Sequence, residues 1–415
     1  MTKRINRPEY IQKLIEFKDT DVVKIVTGIR RCGKSTLLDL FKDYLLEQSI
    51  PEQNITHMNM ESLKYSSLLD YEAFYHYVSD RIAAGQRNYL IFDELQMVEH
   101  WEKAIESFRL DFDVDIYITG SNAYLLSSEF STLLSGRYVE IRLMPLSFKE
   151  FLDFYPFAPD VTTDDKFQRY LQIGGMPVLR QFDFNIPRIN ETLEGIYSTV
   201  ILRDVLERNK ATDQALLRKV VMFLADNIGC VTSPNSIGNV LSAQGGIDRG
   251  KSKGKSKNSV ATKTVAKYIT MLKNAFIFYS VGRYDIKGKQ HLKTLGKNYI
   301  IDLGFRNMLL GYRDADRGHI LENIVYLELI RRDYKVSIGK VGETEVDFVV
   351  EKPDEKLYIQ VTETMEGETT RARELRPLQL ISDNYEKIVL SMDKSYIKSY
   401  DGIKSLNIID FLLGQ

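Results

Sequence analysis

The chain has 415 residues, more than one ordinary hydrophobic core organises, so two or three domains are expected. Hydrophobic residues make up 44% and charged residues 27%, which excludes an intrinsically disordered protein. Lysine plus arginine (56) balance aspartate plus glutamate (57), so net charge indicates no nucleic-acid partner.

Cysteine usage and the absence of apolar segments predict a cytoplasmic protein. Cys32 and Cys230 are the only cysteines, too few for a disulfide framework or a four-ligand zinc site. The N-terminus lacks the apolar core of a secretion signal, and no stretch of about 18 apolar residues predicts a membrane span.

The first 146 residues alternate short apolar runs with segments of helical spacing. The apolar runs, which predict strands, cover residues 22–27, 55–60, 89–93, 115–119 and 138–143. Helical spacing follows each of the first four, as in residues 37–46 and 101–108. This alternation predicts an α/β fold, with a parallel sheet covered by helices on both faces.

Residues 28–35, GIRRCGKS, fit the pattern G-x-x-x-x-G-K-[ST] between a predicted strand and a predicted helix. Glycines at both ends let backbone N–H groups and the helix N-terminus surround a phosphate. The lysine charge then faces the β- and γ-phosphates of ATP, and the serine hydroxyl binds Mg²⁺. The predicted nucleotide-binding residues are Gly28, Arg30, Arg31, Cys32, Gly33, Lys34, Ser35 and Thr36. The side chains of Arg30 and Arg31 are expected to point outward, to solvent, a partner subunit or nucleic acid.

Polar residues at the ends of two further strands predict the hydrolytic groups. The strand YLIFDE ends in Asp93, predicted to hold Mg²⁺ together with Ser35, and in Glu94, predicted as the general base. After the strand ITGSN, either Ser121 or Asn122 is predicted to meet the γ-phosphate and the attacking water, although both residue types also cap helices.

Arg137, in the sequence SGR, is predicted to pair with a γ-phosphate in its own site or in a neighbour's. The alternative is a surface arginine.

The remaining sequence predicts three further domains. Residues 147–210 are helical with a break at 174–177 and predict a lid or connector, and residues 211–310 predict three helices and a hairpin, the outline of a winged helix. Residues 311–415 predict a small α/β domain. Basic residues of the predicted winged helix and its Gly/Ser/Lys-rich loop suggest weak DNA or RNA contact, with protein docking as the alternative. They are Lys263, Lys267, Lys287 and Lys289, together with Arg249, Lys251, Lys253, Lys255 and Lys257 in the loop.

Together, the segments TGIRRCGKSTLL, LIFDELQ, ITGSN, SGR and MPLSFKEF resemble AAA-type ATPases of bacteria and archaea. Further along, YLQIGGMP, ILRDVLER and KNYIIDLGFRN resemble the C-terminal domain of unknown function that is fused to this group. The resemblance implies a five-stranded AAA core, a helical lid, a winged helix and a C-terminal fold similar to PD-(D/E)XK nucleases. It also implies a sensor role for Asn122 and an arginine-finger role for Arg137.

The nuclease-like segment departs from the nuclease pattern. Asp347 supplies one acid, but Gln360 and Thr362 stand where a second acid and a lysine belong. An amide is a weaker ligand for Mg²⁺ than a carboxylate, so little or no cleavage is expected. A residual site would consist of Glu322, Asp347 and Gln360.

Three functions remain open from the sequence. The first is an oligomeric ATPase, for example a ring, that acts on nucleic acid as a machine or switch. The second is a signalling-type ATP switch that assembles with a protein partner such as a toxin or defence component. The third is an ATP-regulated nuclease.

Overall fold

A computed structural model describes residues 6–121, 136–207, 213–243, 260–394 and 397–415. The chain forms two compact units, Met1–Pro145 with Asn274–Phe276, and Leu146–Lys273 with Ile277–Gln415. None of the helices within the described ranges is long and apolar enough to cross a membrane.

The first unit alternates helices and strands as the sequence predicts. In chain order its elements are α1 (Pro8–Glu16), β1 (Val23–Thr27), α2 (Lys34–Glu47), β2 (Ile55–Asn59), α3 (Tyr71–Ser79), β3 (Asn88–Asp93), α4 (Trp101–Asp111), β4 (Val114–Gly120) and β5 (Tyr138–Arg142). The five strands form one parallel sheet in the order β2-β3-β4-β1-β5. The predicted α/β fold and parallel sheet are therefore confirmed.

Helices cover both faces of this sheet because strand side chains alternate in direction. On one face, Phe74 of α3 packs edge-on against Phe92 of β3, with ring centroids 4.9 Å apart. On the other, Phe41 of α2 lies 4.4 Å from the ring of Tyr117 in β4. Strands β1 and β3 are buried along their whole length, which explains why the sequence shows them as continuous apolar runs.

The second unit begins with helices and ends with a mixed sheet. In chain order its elements are α5 (Phe148–Phe154), α6 (Thr163–Ile173), α7 (Ile186–Thr199), a π-helical segment (Val200–Glu207), α8 (Gln214–Asp226), β6 (Val231–Thr232), α9 (Pro234–Ala243), α10 (Thr262–Asn274), β7 (Phe278–Asp285), β8 (Gln290–Ile300), α11 (Leu303–Leu310), α12 (Arg317–Arg331), β9 (Lys335–Val341), β10 (Thr344–Lys352), β11 (Glu355–Val361), α13 (Glu368–Gln379), β12 (Glu386–Ser391), β13 (Ser399–Tyr400), β14 (Ile403–Asn407) and α14 (Ile408–Leu413). Nine strands form one sheet in the order β13-β14-β12-β11-β10-β9-β7-β8-β6.

One feature of this sheet differs from the sequence expectation. The sequence assigns the β7–β8 hairpin to a winged helix and the later strands to a separate domain. In the structure β7 pairs in parallel with β9, so the hairpin and the C-terminal strands share one sheet. Helices and a hairpin do follow one another as predicted, but the division of this unit into lid, winged helix and nuclease-like domain stays a prediction.

The segments GGMP and DLGFRN meet in a buried joint between α6 and α11. The Asp302 carboxylate accepts the backbone N–H of Gly175 (2.6 Å) and of Gly304 (2.9 Å). The Asn307 amide donates to the carbonyl of Leu171 (2.9 Å), which satisfies the C-terminal end of α6. A Cβ on Gly175 would lie 2.4 Å from the carbonyl oxygen of Leu146, so only glycine fits there. These two segments therefore have a structural role in the described fold.

Candidate nucleotide site

The glycine-rich loop follows β1 at the carboxyl edge of the parallel sheet and leads directly into α2. Gly28 has φ +148°, and a Cβ on it would lie 2.2 Å from the carbonyl oxygen of Leu143, so any other residue collides with the backbone. Gly33 has φ +105° and precedes α2, and it provides no side chain to cap the helix. The first N–H groups of α2 therefore point out of the helix without a side-chain cap, the arrangement that binds anions.

Lys34 lies in the first turn of α2 and reaches back over the loop. Its ammonium donates to the carbonyls of Gly28 (3.0 Å) and Ile29 (3.2 Å) and lies 3.9 Å from Glu94 Oε1. The side chain is buried, while Ser35 and Thr36 in the same turn are exposed. A buried ammonium beside exposed hydroxyls at a helix N-terminus provides the donors that a triphosphate requires.

Three of the four side chains between Gly28 and Gly33 have different surroundings. Cys32 is buried, its thiol lies 3.5 Å from the carbonyl oxygen of Leu143, and burial raises the pKa of that thiol. Arg30 forms an ion pair with Glu61 (3.5 Å), and Arg31 is exposed with φ +64°. Cys32 thus anchors the loop, Arg31 is exposed, and Arg30 is mostly covered and paired with Glu61.

Asp93 and Glu94 end β3, two strands away from β1 in the sheet. The Asp93 carboxylate accepts from the Asn59 amide (2.7 Å) and from the Thr119 hydroxyl. Glu94 adopts a left-handed backbone with φ +53°, and its N–H donates to Thr119 Oγ1 (2.8 Å). The Gln96 amide donates to the second Glu94 oxygen. The structure therefore brings both predicted carboxylates to the edge that carries Lys34.

Thr119 is the residue of this site that the sequence analysis missed. It lies in β4, between β1 and β3, and is fully buried, with its hydroxyl bonded to both Asp93 and the Glu94 backbone. Among the residues predicted after it, Ser121 is buried and its hydroxyl has no hydrogen-bond partner within the described chain. The predicted sensor Asn122 lies outside the described residues.

Arg137 lies at the opposite edge of the sheet. Its backbone carbonyl accepts the N–H of Val23, the first residue of β1, whereas the phosphate loop follows Thr27, the last residue. Five strand residues separate these edges by about 16 Å, more than an arginine side chain spans. The Arg137 side chain is exposed. Within one molecule, therefore, Arg137 does not reach a phosphate held by the loop at Gly28, so a neighbouring subunit's phosphate and an ordinary surface position remain the two predictions for this residue.

The structure also brings together the predicted residual nuclease site in the second unit. Glu322 and Asp347 both contact the ammonium of Lys297, at 2.8 and 3.4 Å. Gln360 accepts the backbone N–H of Asp347 (3.3 Å). Thr362 is buried, and its hydroxyl donates to the carbonyl of Thr364 (3.2 Å).

The sheet order and the loop define a P-loop domain of the AAA type. The AAA domain family model matches residues 20–152, and the family model described as a domain of unknown function (DUF8612) matches residues 164–316. An uncharacterized protein of Haemophilus influenzae is 40% identical over 411 residues, which cover 99% of this chain and 98% of that protein. The chain belongs to the same protein family as this relative and combines an AAA domain with the domain of unknown function.

Two more distant proteins extend the comparison. The uncharacterized protein MJ1544 of Methanocaldococcus jannaschii is 28% identical over 420 residues, covering 95% of this chain and 84% of its own length. Among solved structures, the Walker-type ATPase PABY2304 of Pyrococcus abyssi superposes with a TM-score of 0.50 and 16% identity, covering 73% of this chain and 95% of that one. At this identity the similarity establishes the fold alone.

Proposed function

We propose that this protein binds ATP with Mg²⁺ at the Lys34 site, hydrolyses it, and acts as an oligomeric nucleic-acid-associated machine or switch. The observation that supports hydrolysis is the convergence of a buried lysine, an uncapped helix N-terminus and two carboxylates at one sheet edge. Backbone donors and Lys34 suit a polyphosphate, and Asp93 and Glu94 suit a metal-bound water.

Nucleotide binding begins with a change of partner for Lys34. Its ammonium now donates to two loop carbonyls and lies 3.9 Å from Glu94. A β- or γ-phosphate is a stronger acceptor than a neutral carbonyl, so the ammonium would turn to the phosphate and leave Glu94 free. Nucleotide binding would thereby prepare the base for the next step.

Hydrolysis assigns different roles to the two carboxylates. Asp93 is fixed by Asn59 and Thr119 and would hold Mg²⁺ with the exposed Ser35 hydroxyl, because carboxylate and hydroxyl oxygens are the ligands this ion prefers. When bound, the ion supplies positive charge at the β- and γ-phosphates. Glu94 would accept the proton of the attacking water as its carboxylate leaves Lys34 and Gln96.

The proposed oligomer rests on the prediction that Arg137 pairs with a γ-phosphate, because this exposed side chain could meet one only in another subunit. Nucleic-acid contact is supported by exposed lysines on α10 and at the β7–β8 turn, namely Lys263, Lys267, Lys287 and Lys289. Flexible lysines bind phosphates without reading base sequence, so the contact should be weak and strongly salt-dependent.

The test of nucleotide use is ATP binding and steady-state hydrolysis by wild type, Lys34→Ala and Lys42→Ala. Lys42 lies on the same helix but forms a surface pair with Glu52 (3.2 Å), so it is a matched control. We expect Lys34→Ala to abolish binding or turnover and Lys42→Ala to behave like wild type. Equal activity in all three proteins would contradict the proposed site.

The test of the target is the hydrolysis rate with and without single- and double-stranded DNA and RNA, together with particle mass in ATP. A machine on nucleic acid should hydrolyse steadily and faster when its ligand is present. Slow turnover, copurified nucleotide and no response to nucleic acid would favour the signalling switch with a protein partner. Nucleic-acid binding that is unchanged between about 50 and 200 mM salt would contradict the lysine contacts.

A further inference from the structure

Lys297 lies at the centre of the acidic cluster in the second unit. It projects from β8, and its ammonium lies 2.8 Å from Glu322 Oε1, 2.8 Å from Glu345 Oε1 and 3.4 Å from Asp347 Oδ1. The side chains of Lys297 and Glu322 are only 5% and 7% exposed, and that of Asp347 is 12% exposed. One buried ammonium group therefore contacts three carboxylates, one from helix α12 and two from strand β10.

The other oxygens of Glu322 and Asp347 also have partners. The second Asp347 oxygen accepts the backbone N–H of Val361 (2.9 Å). Glu322 accepts the Tyr299 hydroxyl (2.6 Å) on the oxygen that faces Lys297. Its second oxygen lies 3.9 Å from His319 Nδ1.

The polar atoms of Glu345 and Gln360 also lie close to other protein groups. The second Glu345 oxygen lies 4.0 Å from Arg283 Nε. The Gln360 carbonyl accepts the Asp347 N–H (3.3 Å), while its amide donates to Glu374 (3.2 Å). The Gln360 oxygen, which stands where the second acid of the nuclease pattern belongs, thus accepts a backbone N–H.

This arrangement does not fit the Mg²⁺ that the nuclease resemblance implies. A hard divalent cation requires converging oxygen ligands with free lone pairs. Here the point where the carboxylates converge holds an ammonium group. The second Asp347 oxygen and the Gln360 oxygen accept backbone N–H groups, and the second oxygens of Glu322 and Glu345 face His319 and Arg283 at 3.9 and 4.0 Å. Across the described part of the chain, no group of three or more His, Cys, Asp or Glu side chains could hold a metal ion.

We propose that the Lys297 ammonium takes the place of the metal ion in this nuclease-like unit. The acids then act as a structural anchor that fastens the β7–β8 hairpin to α12 and β10, and the unit neither binds a divalent cation at Asp347 nor cuts nucleic acid. Because removing one partner of a buried ion cluster leaves charges uncompensated, Lys297 is essential to this anchor.

The proposal predicts that a metal ion can replace Lys297 once the ammonium is removed. Lys297→Met leaves three carboxylates without their cation, so this variant should unfold at lower temperature than wild type. Mn²⁺ should then bind the vacated cluster and raise the unfolding temperature by at least about 5 °C at a hundredfold excess over its dissociation constant. Mn²⁺ should leave wild type unchanged.

The experiment is thermal unfolding of the full chain without nucleotide, in EDTA and in Mn²⁺. The proteins are wild type, Lys297→Met, Lys297→Met with Asp347→Asn, and Lys335→Met, a control at an exposed lysine of β9. The added Asp347→Asn change should abolish the Mn²⁺ effect, and the control should behave like wild type. A folded Lys297→Met protein without Mn²⁺ stabilisation would overturn the proposal.

A second measurement on wild type applies even if Lys297→Met does not fold. Calorimetric titration with Mn²⁺ and digestion of DNA and RNA are compared between wild type and Asp347→Asn. Identical titrations and no Asp347-dependent cleavage support the proposal. Binding or cleavage that requires Asp347, with cleavage surviving Lys34→Ala, overturns it and identifies an active nuclease.

Discussion

Removing the Thr119 hydroxyl tests how the two carboxylates of the proposed site, Asp93 and Glu94, are positioned. Thr119→Val replaces the hydroxyl by a methyl group of similar shape in a fully buried position. The Asp93 oxygen then loses a donor, and the Glu94 N–H loses the acceptor at 2.8 Å. The substitution should leave the P-loop structure undisturbed, because the described hydrogen bonds of this hydroxyl go to Asp93 and Glu94 at the end of β3.

The expected cost follows from these two bonds. A hydrogen bond to a charged carboxylate contributes about 1.5–3 kcal/mol and a neutral one about 0.5–1.5 kcal/mol. The free energy of unfolding should therefore fall by about 2–4.5 kcal/mol. This loss is smaller than the total stability of about 5–15 kcal/mol that is usual for a domain, so the variant should fold. Because Glu94 holds a left-handed backbone, losing its N–H bond should let the carboxylate move.

We therefore expect kcat to fall about 10- to 100-fold, equivalent to about 1.4–2.8 kcal/mol, with less than about a threefold change in KM for ATP. The assay is steady-state hydrolysis with ATP binding and thermal unfolding measured on the same preparations. Thr119→Ser keeps the hydroxyl and is the matched control, with kcat expected near wild type. Equal kcat values for Thr119→Val and wild type, or equal impairment of both variants, would show that the hydroxyl does not position the carboxylates.

Two further predictions concern a subunit interface and a buried acid. Arg137→Ala should lower the rate of ATP hydrolysis by as much as about 10³-fold. Mixing it with Lys34→Ala protein should restore part of the activity, because each variant supplies the group that the other lacks. Unchanged hydrolysis and oligomer formation in Arg137→Ala would show that the residue is a surface arginine. Burial raises the pKa of Asp302 to about 6, although hydrogen bonds from the backbone N–H groups of Gly175, Gly304 and Phe305 oppose this shift. The folded state therefore binds the proton more tightly than the unfolded state, and the resulting stabilisation is lost as pH rises through about 6. Relative to Asp302→Asn, wild type should lose about 2 kcal/mol of unfolding free energy between about pH 4.5 and 7 in urea titrations; parallel pH profiles would contradict the assignment.

The nucleotide-binding half of the fold could be predicted from the sequence because its signals are local. Each predicted strand of the first sheet lies within a residue or two of the observed one. The runs that predict β1 and β3 are mainly apolar because both strands are buried along their whole length. The grouping of Lys34, Asp93 and Glu94 at one edge of the sheet could be predicted because their motifs follow or end strands of a parallel sheet. Thr119 could not, because a β-branched residue inside an apolar strand is typical of any strand.

The fold of the second unit is harder to predict from the sequence because it depends on pairing between strands that are far apart in the chain. The sequence predicts the hairpin β7–β8, but its parallel pairing with β9 joins residues 55 positions apart, such as Arg283 and Ile338, and leaves no local pattern. Lys297 likewise stands in a strand as an ordinary polar residue, and its three carboxylate partners come from distant elements. The Gly-Gly and Asp-Leu-Gly segments are recognisable in the sequence, but the sequence does not predict that they contact each other. The structure shows this contact through the hydrogen bond from the Gly175 N–H to Asp302.

The most direct test of ATP hydrolysis is a single-turnover measurement with Glu94→Gln. Glutamine keeps the shape of the side chain but cannot accept the proton of the attacking water, so bound ATP should be retained while hydrolysis slows at least about a hundredfold. Glu99→Gln, at an exposed position just beyond β3, is the control and should hydrolyse ATP at the wild-type rate. Hydrolysis by Glu94→Gln at the wild-type rate would contradict the account and place the general base elsewhere.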